Sequence, residues 1–323
     1  MICTARSRGF VRVLDILKRA GGRYVSGPSM AAELGISRVA VWKHVRKIRS
    51  FGYEVESGRR LGYRLAGGAA GPLPWEILDG LSTRKMGKRI HYFESLDSTQ
   101  AYALRIAGEK REDGAVVIAR RQTAGRGRMG RRWISPHGGV WLSVITRPAR
   151  GGPNTVLPLA ASVALAEAIE AAAGVRPELK WPNDVLVNGG KVAGILVDAS
   201  VSPGGVDHAV IGVGINLDVK AGEISRRTGR AAASLSDHAD AAPAIVREFL
   251  SALERATDSL DAGGSAGILS RWTGLSCTVG RNISVETGGG TVRGRALCVD
   301  PDGALVLDCN GDRRRVVSGD LVP

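Results

Sequence analysis

Gly125-Arg126-Gly127-Arg128-Met129-Gly130, with Arg131 and Arg132 directly after it, is the segment of this chain best suited to chemistry. Its glycine spacing fits G-x-G-x-x-G, but a dinucleotide fingerprint needs a helix that starts at the last glycine and meets the pyrophosphate. Here RRWISPHGG follows, and Pro136, Gly138 and Gly139 leave no room for that helix. No acid stands about twenty residues on, where WLSVITRP reads as a strand. A protein-kinase glycine loop lacks its lysine strand and catalytic-loop motif, and the ordinary phosphate loop lacks GK[ST]. What remains is a pliant glycine loop with four arginines. Glycines let a backbone approach a ligand closely, and guanidinium groups supply forked donors matched to carboxylate and phosphate oxygens. One cation about 4 Å from an anion contributes roughly 4 kcal/mol at an effective dielectric near 20, so joining a carboxylate to a triphosphate takes about two or more cations. A solvated loop that binds nothing is the plain alternative, but clustered arginines repel one another when no anion is present.

A second constellation is Lys180-Trp181-Pro182-Asn183-Asp184, followed by Lys191 and Gly194. Trp-Pro stops one strand and turns the chain, so Asn183 and Asp184 fall at a strand junction. The hairpin LVNGGKVAG, with its turn at Asn188-Gly189, delivers Lys191. A further strand, VIGVGINLD, ends on Asn216 after Gly212 and Gly214.

The elements that must position these groups can be read on either side. Residues 1–66 hold fourteen Lys and Arg against four acids, a surplus of ten within a chain total of +14. A charge so unevenly placed marks a dedicated basic module. VRVLDILKRA places Val13, Leu14 and Leu17 on one helical face and stops at Gly21-Gly22. Pro28 opens a second helix that ends at Gly35, and Ser37 caps a third, SRVAVWKHVRKIRSF, closed by Gly52. Val41, Val45 and Ile48 face the core, while Arg38, Trp42, Arg46 and Arg49 recur on another face; Trp42 is expected to pack against neighbouring helices. Alternating runs around SGRR form a hairpin with a basic tip. Three short helices, a tight glycine turn and a basic hairpin resemble a winged helix-turn-helix, whose third helix enters the major groove between cations on phosphates. A solvated basic bundle without a nucleic-acid role is the alternative.

AGGAAGPLP is Gly/Pro-rich and aperiodic, and reads as a linker. Helices are expected over Thr155–Ala173 and Pro243–Leu260. From Cys277 onward, short strand-like runs alternate with GGG, PDG and NG, the pattern of a small antiparallel barrel.

With 323 residues, 44% of them hydrophobic and 24% charged, the chain has the composition of an ordinary multidomain soluble protein. Its four scattered cysteines, Cys3, Cys277, Cys298 and Cys309, fit reduced thiols in a cytoplasm and exclude a disulfide framework. The N-terminus lacks the apolar run of a secretory peptide, and Leu157–Ala173 is too short and too acidic to span a bilayer. The five histidines, at 44, 91, 137, 208 and 238, have no acidic or cysteine partners at ligand spacing, so no structural metal site is expected. His137, beside the loop in SPHGG, is a candidate to line the pocket, with a merely solvated loop histidine as the plainer alternative.

QTAGRGRMGRRW (Gln122–Trp133), KWPND with Lys191 and AGIL, GVGINL (Gly212–Leu217), SLDSTQAYA (Ser95–Ala103), and SRW (Ser270–Trp272) resemble the biotin–protein ligases over nearly the whole chain. With the N-terminal module, the chain resembles their bifunctional branch, which joins a biotin–acetyl-CoA-carboxylase ligase to a biotin operon repressor. The resemblance implies an α+β architecture. A winged helix-turn-helix occupies residues 1–66 and a linker 67–74. A mixed α/β ligase domain related to class II synthetase-like folds covers 75–272, and an SH3-like barrel covers 273–323. It implies a reaction in which the biotin carboxylate attacks the α-phosphate of ATP, after which a lysine of biotin carboxyl carrier protein takes the biotinyl group. It also implies magnesium, operator DNA as a second partner, and a homodimer when the adenylate is bound.

Carried over by motif, Ser98, Thr99 and Gln122 hold the polar groups of biotin. Arg126, Gly127 and Arg128 close over carboxylate and phosphate, and Lys191 bonds the carboxylate and the developing charge. Arg131 and Trp133 shape the nucleotide side with Arg128. Asn183 orients phosphate or magnesium, Asn216 recognises adenine or ribose, and Asp184 helps the acceptor lysine lose its proton. Arg38, Lys43, Arg46, Arg59 and Arg60 face DNA. The family usually reads Ser-Thr-Asn where Gln100 stands here as a candidate biotin contact. Lipoate ligases share the chemistry, but their glycine-rich lipoate loop has no counterpart, and GRGR with KWPND points to biotin. A DNA-binding sensor without catalysis, and a ligase whose basic module regulates nothing, are the competing readings. The intact arginine loop with Lys191 opposes the first, and the basic surplus opposes the second.

Overall fold

In the computed structural model, which describes residues 2–4, 9–69, 71–148, 154–202 and 205–322, apolar periodicity and end caps set the N-terminal helices. Helix α1 (Gly9–Arg19) buries Val13, Leu14 and Leu17. Helix α2 (Gly27–Leu34) starts on Ser26, whose Oγ accepts the Ser29 N–H at 3.1 Å, and stops at Gly35 with φ of 64°. That left-handed turn is one that glycine adopts without steric cost. Ser37 caps helix α3 (Arg38–Ser50) in the same way, accepting from the Ala40 N–H at 3.1 Å, and Val41, Val45 and Ile48 are buried. Strands β2 (Glu54–Gly58) and β3 (Gly62–Gly67) pair antiparallel, with Arg59 and Arg60 at the tip. The expected winged helix-turn-helix is present. Trp42 departs from expectation: it is 45% exposed rather than packed between helices, because the α3 positions facing α1 and α2 are filled by the smaller Val41, Val45 and Ile48.

The Gly/Pro-rich stretch leads into helix α4 (Pro74–Leu78), which is docked on both sides. Trp75 packs against Phe10 and Phe51, with ring centroids at 5.0 and 4.5 Å. Its Nε1–H donates to Tyr53 Oη at 2.7 Å, and Tyr53 donates to the Glu76 carboxylate. Lys18 closes on the same carboxylate at 2.7 Å, while Arg247 binds the Glu76 carbonyl at 2.6 Å. Burial, followed by the bond and charge of Glu76, drives the Tyr53 hydroxyl well above its usual range.

The central domain is an eight-stranded sheet. Its strands are β1 (Ile2–Thr4), β4 (Arg89–Phe93), β5 (Val116–Ala119), β6 (Val140–Thr146), β7 (Glu178–Lys180), β8 (Asp184–Val187), β9 (Gly190–Ser202) and β10 (Gly205–Ile215). Their order is β1-β4-β5-β6-β10-β9-β8-β7, antiparallel except for β4 beside β5. Alternation along each strand serves two faces. Val117, Ile145 and Val210 pack under helix α5 (Thr99–Ile106) through Ala103 and Ala107. Ile118, Val144 and Ile211 join the main core beneath helices α6 (Leu157–Ala173) and α8 (Ala242–Asp261). Helix α6 starts two residues later than the sequence pattern suggests, after a single 3-10 turn over Asn154–Val156. Helices α7 (Ala221–Thr228) and α9 (Ala266–Leu275) complete this part of the chain.

The C-terminal domain is a five-stranded antiparallel sheet of β11 (Asn282–Thr287), β12 (Gly290–Val299), β13 (Leu305–Cys309), β14 (Asp312–Val316) and β15 (Asp320–Val322), in the order β14-β13-β12-β11-β15. It is joined to the central domain around the buried Trp181, whose N–H donates to Thr278 Oγ1 at 3.0 Å and whose indole N–H donates to the Gly303 carbonyl at 3.3 Å. No described helix is long and apolar enough to cross a membrane.

Candidate active site

Three glycines clear a floor on the α5 face of the sheet. Gly212 and Gly214 share one side of β10, and Gly194 of β9 is the register partner of Gly214. A Cβ at Gly214 would overlap the Trp133 indole. One at Gly194 would lie 3.0 Å from both Lys191 Cε and Trp133 Cζ3, and one at Gly212 2.5 Å from Gln100 Oε1. Only hydrogen at these positions lets side chains lie flat on the sheet.

A polar chain runs along one edge of this floor. Gln100, 3% exposed, donates from Nε2 to Asp198 at 2.9 Å and to the Val210 carbonyl at 3.0 Å. Ser143 Oγ lies 3.0 Å from both Gln100 Oε1 and Thr99 Oγ1. Gln122 Oε1 accepts from the Thr99 N–H at 2.8 Å, and its Nε2 donates to Ser135 Oγ at 2.8 Å. Ser98 caps α5, accepting from the Ala101 N–H at 3.3 Å. Ser98, Thr99 and Gln122 are therefore gathered at this edge, where the Gln100 amide bonds Asp198, Val210 and Ser143.

The arginine loop arches over this floor. The Gly127 N–H donates to the Arg131 carbonyl at 2.8 Å, Met129 takes a φ of 53°, and the Trp133 N–H returns to the Gly125 carbonyl at 2.9 Å. No α-helix follows the last glycine, which removes the dinucleotide reading on structural grounds. Arg128 reaches Asn183 Oδ1 at 3.3 Å and the Gly319 carbonyl at 3.4 Å, and Arg131 pairs with Asp320 at 2.7 Å. Burial pulls the Arg128 guanidinium below its ordinary value against the opposing charge of Asp320. For Asp320, burial pushes upward, but the hydrogen bond from Arg131 and the charges of Arg131, Arg128 and Arg230 outweigh it and hold the carboxyl low. Arg126, Arg132 and His137 are exposed.

Lys191 Nζ sits 2.5 Å from Asp184 Oδ1 and 5.0 Å from the Trp133 ring centroid. The Lys191 backbone is fixed by a parallel bridge to residues 231–233, its N–H donating to the Ala231 carbonyl at 2.9 Å. Asn183 Nδ2 donates to the Ile195 carbonyl at 2.6 Å. Asn216, 2% exposed, donates to the Lys191 carbonyl at 3.2 Å, but its Oδ1 has no partner, nor does the Trp133 indole N–H. A buried polar atom without a partner costs about 1–3 kcal/mol, so an unpaired acceptor and an unpaired donor at one site point to a ligand that completes them. A cavity of ≈ 120 Å³ opens elsewhere, where α6 and the C-terminal domain meet the central sheet, lined by Arg128, Leu159, Trp181, Asn183, Gly303 and Val317 among others.

Sequence motifs do not mark Asp320, Asp198, Ser143, Ser135 or the segment 230–233, each of which touches or charges this site. Those residues arrive by strand register and domain docking, and a single sequence does not display either. In the N-terminal domain Arg38, Lys43, Arg46, Arg59 and Arg60 are all exposed.

Residues 92–216 match the biotin/lipoate A/B protein ligase family, residues 12–64 an HTH domain, and residues 278–322 the biotin protein ligase C-terminal domain. The chain is 37% identical over 315 residues to the bifunctional ligase/repressor BirA of Bacillus subtilis (strain 168), covering 96% of this chain and 97% of that protein. It is 31% identical over 311 residues to BirA of Escherichia coli (strain K12), covering 94% of each. Among solved structures, the biotin protein ligase of Aquifex aeolicus in complex with biotin and ATP has a TM-score of 0.62 at 24% identity, over 72% of this chain and 97% of that chain, a likeness of fold. From these matches over nearly the full length, the chain belongs to the bifunctional ligase/repressor branch of the biotin/lipoate A/B protein ligase family.

Proposed function

We propose that this protein joins biotin to ATP and passes the biotinyl group to a lysine of biotin carboxyl carrier protein of acetyl-CoA carboxylase. We propose too that its adenylate-bound form dimerises and represses an operator. The observation that carries the catalytic reading is the placing of Lys191 and Trp133 on the glycine floor, with Arg128 bonded to Asn183 next to Asp184, the partner of Lys191, and with an unpaired buried donor and acceptor in the same site. In the first step a biotin carboxylate oxygen attacks the α-phosphorus and the bond to pyrophosphate breaks. Arg126, Gly127 and Arg128 close over the two anions, and Lys191 stabilises the carboxylate and the charge that grows on the phosphoryl oxygens. In the second step the acceptor lysine, its proton drawn off with help from Asp184, attacks the acyl carbon and AMP departs.

Ser98, Thr99 and Gln122 take the polar ring of biotin, and Gln100 holds Thr99 in place through Ser143 rather than touching the ligand. Trp133, Arg131 and Asn216 receive the nucleotide, with the free Oδ1 of Asn216 available to an amino or hydroxyl group. Magnesium would accompany the phosphates. Among the described residues no group of three or more His, Cys, Asp or Glu side chains could cage an ion. Asn183 and Asp184 offer two oxygens, a set suited to a magnesium that keeps phosphate and water in the rest of its shell.

Residues 1–66 form the proposed DNA-binding domain, with Arg38, Lys43, Arg46, Arg59 and Arg60 on phosphates or base edges. The stretch 67–74 links it to a catalytic domain over 75–272, and a C-terminal domain covers 273–323. The reaction and its partners place the protein in the cytoplasm. Exchange of labelled pyrophosphate into ATP that depends on added biotin is the expected result. Its absence from folded protein would leave a sensor in place of an enzyme.

A further inference from the structure

Six large apolar side chains are exposed among the described residues, and two of them, Val39 at 62% and Trp42 at 45%, stand together on the first half of α3. Three residues apart, they share one face of the helix. An exposed apolar pair on a small domain marks a contact surface. The ring is also held: the Arg46 guanidinium stacks on it, with Cζ 4.8 Å from the centroid. Arg49, the next cation along, is withdrawn from this face. Its Nε and Nη2 donate to the Val55 carbonyl at 2.8 and 2.6 Å, and Nη2 donates to Ser57 Oγ at 2.8 Å, tying the helix to the wing. The free surface is therefore an apolar centre bordered by Arg38, Lys43 and Arg46.

A second copy of this face would set like charges against each other. A DNA duplex instead offers phosphates to the cations and, in the floor of the major groove, the C5 methyl of thymine to the apolar centre. The N-terminal residues of a recognition helix are the ones that reach base edges. We infer that Val39 and Trp42 read thymine methyl groups in each half-site and that Arg46 braces the indole for that contact. The inference rests on the DNA-binding reading given above.

The test uses the full chain with biotin and ATP and a duplex selected by it from a random pool. Single thymines are then replaced by deoxyuridine, which removes only the methyl. At one or two positions per half-site the affinity of the unaltered protein falls roughly fourfold, the worth of a buried methyl group. Changing both residues, Val39→Ala with Trp42→Ala, removes the difference between thymine and deoxyuridine at those positions, and Trp42→Phe, which keeps a ring, retains it. Equal binding of thymine and deoxyuridine duplexes at every position, or differences that all survive the double change, overturns this inference alone. Absence of any salt-dependent duplex binding overturns the DNA role and this inference together.

Discussion

Asp320 Oδ2 stands 2.7 Å from Arg131 Nη1, so the last strand of the C-terminal sheet supplies the resting counter-ion of the catalytic-domain arginine loop. Both side chains are partly exposed, which limits the pair to about 1 kcal/mol. Asp320→Asn should therefore loosen the loop without unfolding the domain. Limited trypsin digestion should cleave within residues 126–132 roughly fivefold faster than in the unaltered protein. An unchanged cleavage rate would mean that the loop is held by its own backbone bonds.

Lys191 and Asp184 are paired at 2.5 Å, yet their assigned roles belong to different steps. Lys191→Gln should lower biotin-dependent pyrophosphate exchange by about 10²- to 10³-fold, the usual loss when a charge-stabilising donor is removed. Asp184→Asn should keep exchange within about tenfold while slowing transfer to the carrier lysine by about 10²-fold. If Asp184→Asn abolishes exchange and spares transfer, the carboxylate serves only to orient Lys191.

Trp75 joins the N-terminal module to the rest of the protein through Phe10, Phe51 and Tyr53. Trp75→Ala removes the aromatic anchor at a cost of about 3 kcal/mol. Calorimetry should then resolve two transitions, the N-terminal domain melting first. A single transition displaced as a whole would show that other contacts couple the domains.

Glu254 of α8 accepts the backbone N–H groups of Arg84, Lys85 and Met86 at 2.7, 2.9 and 3.0 Å. Burial opposes its ionisation, but the three bonds and the Arg84 charge outweigh burial and lower its pKa from 4.5. A lowered carboxyl contributes stability in full above pH 4.5 and loses it as pH falls through the lower, folded-state value. Glu254→Gln should cost about 2 kcal/mol at neutral pH and flatten the acid limb of a denaturation profile below pH 4.5. A parallel, merely displaced acid limb would contradict this assignment.

Much of this molecule is legible from side-chain spacing. Val13, Leu14 and Leu17, the caps Ser37 and Gly35, and the Asn188-Gly189 turn each state a local rule, and the structure obeys it. The arginine loop, Lys191 and Asn216 are marked by unusual residue types at strand ends. Asp320 is not, because an acid near a chain end has no pattern until the C-terminal sheet is docked. Trp42 fails for a related reason: helical spacing says which residues share a face, but not that smaller neighbours have already filled the core. Gln100 reads as a candidate contact by its place in a motif, while its bond to Asp198 across the floor is visible only in the fold.

The proposed reaction requires guanidinium groups of the 125–132 loop and Lys191 together to hold the two anions that must react. A crystal structure with biotin and a non-hydrolysable ATP analogue tests it most directly. Lys191 is expected on the biotin carboxylate, Arg128 within hydrogen-bonding distance of phosphate oxygens, and Arg131 released from Asp320. Both ligands bound while Arg128 and Arg131 remain on Asp320, away from either anion, would contradict it.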